Sequence, residues 1–141
     1  LTLVRGLAVV ALLSALFSGP ALAAEHPAFL SGHWFGQGEP HDKSEMWLAH
    51  PAANGNFAVQ FRTCRKGHAS DLFQTGKWWF QDGIETVQIT LSGGQVLFHE
   101  TQYKVLSHDG KSQTYSMPSG FVFKSSRVDG KFAMPPCELV S

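Results

Sequence analysis

Glycine-based pairs punctuate this chain at short intervals: Asn54-Gly55, Asp82-Gly83, Gly93-Gly94, Asp109-Gly110, Ser119-Gly120 and Asp129-Gly130. Each joins glycine to a residue that accepts a tight bend at little cost, which is the chemistry hairpin turns require. Between them lie segments of strand length rich in Phe, Val, Ile, Thr and Trp. Beyond residue 23 no stretch carries an apolar stripe of helical period, although a short turn fits at 26–30 or 138–140. Short connections make successive strands antiparallel neighbours. The expected fold is all-β.

Alternation assigns the faces. In 57–64, Phe57, Val59, Phe61 and Thr63 share one side, and Ala58, Gln60, Arg62 and Cys64 take the other. Leu72, Trp78 and Phe80 share a face in 72–80, and Val87, Ile89 and Leu91 oppose Thr86, Gln88 and Thr90. Leu97, His99, Thr101, Tyr103 and Val105 share another. Strands are expected at 33–38, 44–50, 56–64, 71–81, 84–91, 95–105, 112–117 and 120–128. About eight such strands close into a single antiparallel up-and-down β-barrel, which removes both sheet edges. A two-sheet sandwich is the alternative.

The 141 residues hold one domain. With 43% hydrophobic and 12% aromatic content the chain is globular, not disordered. Its 11 Lys+Arg balance 11 Asp+Glu, so it lacks the basic surface that nucleic-acid binding needs.

Residues 3–23 have the parts of a secretory signal: Arg5, an apolar run from Leu7 to Phe17, a break at Ser18-Gly19-Pro20, and the small-residue site Ala21-Leu22-Ala23. As a helix the apolar run spans roughly 16 Å, well short of a ~30 Å hydrocarbon core. The expected organisation is a signal peptide at 1–23 and a barrel domain at 24–141, periplasmic or secreted, with no membrane span after cleavage.

Export lets Cys64 and Cys137 pair as a disulfide. If Phe57, Val59 and Phe61 point inward, Cys64 points outward. The segment 132–137 contains Pro135 and Pro136 and cannot be a central strand, so it should cross the outside of the barrel and be stapled there. No CxxC is present, which argues against structural zinc and thioredoxin-type redox chemistry.

Gly32-His33-Trp34 at the start of the first strand resembles the Gly-x-Trp signature of lipocalins and their calycin relatives. The resemblance implies that Trp34 plugs one end of the barrel and that Arg127 or Lys124 packs across its ring as a cation–π partner. The longer string Gly32-His33-Trp34-Phe35-Gly36-Gln37-Gly38-Glu39 is also similar to the opening of nitrobindin-like haem barrels, and Gly76-Lys77-Trp78-Trp79 before Asp82-Gly83 is compatible with it. No histidine near the C-terminus matches the haem ligand of that group, so no cofactor is expected.

Catalytic chemistry is not visible. There is no GxSxG, no glycine-rich phosphate loop and no nucleophile–base pair. The histidines (26, 33, 41, 50, 68, 99 and 108) are scattered, without HExxH, and no metal site is expected. Glu39, Asp42 and Glu45 crowd one loop with His41; an acidic surface loop explains them more simply than a cation rim does. His99, on the inferred inner face, either fixes a ligand or is a core histidine bonded to Tyr103 or a water.

Two functions follow from this reading. The first is an exported, non-catalytic barrel holding one small hydrophobic ligand, lined by Phe57, Val59, Phe61, Trp78, Phe80, His99 and Tyr103. The second is a protein-binding module, such as a periplasmic protease or lysozyme inhibitor, acting through the loops at 36–45 and 65–71 over a filled interior.

Overall fold

Side chains of alternating polarity favour strands with one wet and one dry face, and the turn pairs set where each strand stops. A computed structural model of the chain describes residues 25–38 and 44–137. Residues 1–23, expected to be a signal peptide, the residues Glu39, His41 and Asp42, and the turn considered at 138–140 lie outside the described residues.

Eight strands follow in chain order: β1 (His33–Gln37), β2 (Glu45–Pro51), β3 (Asn56–Arg65), β4 (His68–Gln81), β5 (Ile84–Ser92), β6 (Gln95–His108), β7 (Ser112–Ser116) and β8 (Val122–Val128). Each is antiparallel to its chain neighbour, and β8 returns to pair with β1 through Trp34↔Arg127. The ring is a closed up-and-down barrel, not a sandwich. Its only helical feature among the described residues is one turn, where the Leu30 and Ser31 amides both donate to the Pro27 carbonyl at 3.1 and 3.0 Å.

Two departures from simple alternation matter. The turn between β3 and β4 is Lys66-Gly67, both at positive φ (51° and 76°), so the hairpin runs further than its composition suggests and β4 begins at His68. The second is a register shift on β5 between Ile89 and Leu91. It pairs Leu91 with Thr75 and Val96 on the outer face, where Leu91 is 40% exposed. The single face expected for Val87, Ile89 and Leu91 therefore breaks at Thr90, because an irregularity of one residue reverses every side chain beyond it.

One end of the barrel is sealed. The residue 25–31 segment folds across it, tied to β4 by reciprocal backbone bonds between Glu25 and Phe80 at 3.1 and 2.8 Å. Leu30, Trp34 and Trp78 fill the end and are each 1% exposed. Both indoles are satisfied: Trp34 Nε1 donates to the Leu30 carbonyl and Trp78 Nε1 to the Ala52 carbonyl, each at 2.8 Å.

Arg127, not Lys124, lies over the Trp34 ring, with Cζ 4.4 Å from the centroid. Its guanidinium donates to the carbonyls of Gly110 and Ser31, both at 2.7 Å, and to those of Ala28 and Phe29 at 3.3 Å. Gly32 sits at φ 120° against this cation, and a Cβ there would collide with Nη1 of Arg127.

The chain beyond β8 forms the external strap. Phe132 packs on the outward Phe35 at 5.1 Å, Arg62 Nη1 donates to the Pro135 carbonyl at 2.9 Å, and Cys137 is bonded to Cys64, S–S 2.10 Å. Arg62 is itself held by Asp71 through Nε and Nη2, each at 2.8 Å. Closing a loop with a sequence separation of 73 removes unfolded-chain entropy worth roughly 4 kcal/mol. A disulfide here is consistent with an oxidising, exported setting. Among the described residues no helix is long and apolar enough to cross a membrane.

Candidate functional site: the barrel cavity

The inner faces of the strands enclose a cavity of about 420 Å³, within the range of small-molecule sites. Apolar side chains dominate the wall, with Phe57 and Val59 from β3 and Val87 and Ile89 from β5 all buried.

An aromatic chain completes the opposite side. Tyr103 meets Tyr115 edge-on at 5.3 Å, Tyr115 stacks on Phe123 at 5.7 Å, and Phe123 meets Trp47 edge-on at 5.7 Å. This chain crosses β1 because Gly36 has no side chain: the Trp47 indole lies where a Cβ would be. The glycine noted in the opening string thus serves the cavity wall.

The polar groups are few and unevenly placed. Glu85, beside the closed end, is 8% exposed and lines the cavity. Its register partners are Phe80 on β4 and Tyr103 on β6. Its carboxyl makes no hydrogen bond or ion pair with any described residue. Burial raises its pKa from 4.5 to about 7, because the charged form loses its water.

Burial, then the Glu85 carboxylate, pushes the hydroxyls of Tyr103 and Tyr115 upward, so both stay protonated. Gln113 donates through Nε2 to Ser125 Oγ at 3.1 Å, while its buried Oε1 has no partner. No Lys or Arg is among the described lining residues.

The residues expected to meet a ligand separate by depth. Phe57, Val59, Phe61, His99 and Tyr103 all line the cavity. Trp78 and Phe80 share the inner face but do not reach the void; they belong to the floor, where Trp78 packs edge-on against His26 and Phe80 against Phe29. His99 stands toward the mouth, exposed, with Nε2 3.1 Å from Thr101 Oγ1. It is therefore no core histidine bonded to Tyr103.

Trp47, Glu85, Gln113, Tyr115 and Phe123 were not expected. Parity held the signal for Glu85, which alternates with Val87 and Ile89. For Gln113 and Tyr115 the strand was too short to show which face is inner.

Elsewhere the fold brings His33 and His50 into a stack at 3.9 Å on the outer surface, from adjacent strands. Desolvation, and then the neighbouring His33, lowers the His50 pKa below 6.5. Among the described residues no group of three or more His, Cys, Asp or Glu is placed to hold a metal ion.

A closed antiparallel barrel with one plugged end is consistent with the calycin, lipocalin-like architecture. Comparison with known protein families, with curated proteins and with solved structures finds no match for this chain.

Proposed function

We propose that this protein is an exported, non-catalytic carrier, a small lipocalin-like barrel that holds one predominantly apolar molecule in its interior. The observation that carries the reading is the 420 Å³ void itself, closed below by Trp34 and Trp78 and walled by apolar side chains. An apolar guest gains by leaving water at about 25 cal/mol per Å², so burying roughly 200 Å² contributes about 5 kcal/mol before the costs of association. The depth of the site removes most of the guest from solvent. A loop-acting inhibitor has no use for such a void and would be more stable with it filled.

Titration with N-phenylnaphthylamine, a neutral probe that fluoresces in apolar surroundings, tests this reading. One saturable site per chain is expected, and Phe61→Trp at the mouth should weaken it at least tenfold. Absence of saturable binding, or binding indifferent to Phe61→Trp, would overturn the carrier reading.

A further inference from the structure

We propose that the guest is an organic ammonium: a compact apolar or aromatic body whose protonated amine is received by Glu85 at the floor of the cavity. This rests on the carrier reading and adds the chemical class of the guest. A carboxyl only 8% exposed sits at a position where its neighbours along the strand are Val87 and Ile89, and no described residue donates to it. Buried carboxyls are ordinarily paired or hydrogen-bonded, since removing a charge from water is costly. Here the carboxyl lines the cavity.

The surroundings select the sign of the guest. No Lys or Arg is among the described residues that line the void, and the second carboxyl on that lining, Glu45, stands at its mouth. An anionic guest would find no fixed positive charge among these residues and would be repelled by an ionised Glu85. Tyr103 and Tyr115 flank Glu85, and Trp47 and Phe123 continue the same aromatic wall. Such rings attract a desolvated cation through their faces. A neutral apolar molecule would fill the volume yet leave the Glu85 carboxylate unpaired, and mispaired polar groups are what specificity is made of.

The groups facing Glu85 leave one titration to consider. β4 presents Phe80 to it, β6 Tyr103 and β7 Tyr115, and both tyrosines hold their protons. The other titratable groups on the lining are His99 and Glu45. Receiving an ammonium requires Glu85 to be ionised, so a guest that binds below neutrality must displace its proton to solvent.

The test compares two probes of similar shape, naphthylmethylamine (cationic) and ethylnaphthalene (neutral), by calorimetric titration at pH 8. The wild-type protein is expected to bind the amine at least tenfold more tightly, and Glu85→Gln to erase that preference while keeping its affinity for ethylnaphthalene. Equal affinities in the wild type, or a preference that survives Glu85→Gln, would overturn the ammonium proposal and leave the carrier reading standing. Binding of neither probe would overturn both.

A measurement on the unaltered protein covers a Glu85→Gln variant that does not fold. At pH 6, amine binding should release close to one proton into the buffer, and ethylnaphthalene binding none. Equal proton release for the two probes contradicts the proposal.

Discussion

At the closed end of the barrel Leu30, Trp34 and Trp78 are each 1% exposed, whereas at the open end Val96 and Phe98 are 90% and 70% exposed. The two regions use the same residue types for opposite purposes. Below, every large side chain has a neighbour, both indole N–H groups have an acceptor, and Arg127 ties the floor to four backbone carbonyls. Above, the β3–β4 and β5–β6 hairpins run past the body of the barrel and leave apolar side chains such as Phe73 and Leu97 in water. Stability is concentrated in the floor, and access is concentrated in the mouth. Glu85 lies where the two regimes meet.

The largest expected effect breaks the floor. Trp34→Ala removes a buried ring, its hydrogen bond and the platform under Arg127, and should cost about 3–5 kcal/mol, read as a lower urea midpoint. A loss below about 1 kcal/mol would mean that the closed end is not where the barrel is held together.

Glu85 sharpens the boundary between the regions. Its pKa is about 7 in the folded protein against 4.5 ordinarily, so between these values the folded chain binds more protons than the unfolded one. Its contribution is therefore most favourable at low pH and declines as pH rises from 4.5 towards 7, a penalty of about 3 kcal/mol once complete. Glu85→Leu should accordingly raise the urea midpoint at pH 8 more than at pH 5. His50 acts in the opposite direction: its depressed pKa costs stability as pH falls below 6.5. The difference between wild type and Glu85→Leu at each pH cancels that contribution. A Leu variant less stable than wild type at pH 8 would show that the carboxyl is structurally satisfied.

Much of the barrel was legible because period-two alternation and turn chemistry are local. The pattern Phe57, Val59, Phe61 against Ala58, Gln60, Arg62 states both a strand and its inner face, and it also turns Cys64 outward toward the strap. What escaped was non-local. Nothing in Ile89-Thr90-Leu91 announces a register shift, which depends on how β4 and β6 pair with β5. Lys66-Gly67 makes the same turn as Asp82-Gly83, with both residues at positive φ, without its composition.

The cavity was harder still. Whether inward aromatics fill a barrel or line it depends on the sum of their volumes around the ring. The depth of Trp78 relative to Phe57 depends on register between strands, not on either strand alone. Glu85 shows the limit most clearly: parity points it inward, but only the assembled ring reveals that no partner waits there.

The interior of the barrel is a void, and Ala49→Phe probes it. Ala49, opposite Val59 on β2, is the smallest side chain on the cavity wall apart from Gly38. A phenyl group there enters empty space, so a urea midpoint equal to or above wild type is expected, together with loss of N-phenylnaphthylamine binding. A filled interior would have to make room for the ring, at a cost of about 1–3 kcal/mol. A midpoint lowered by that amount would mean that the interior is filled.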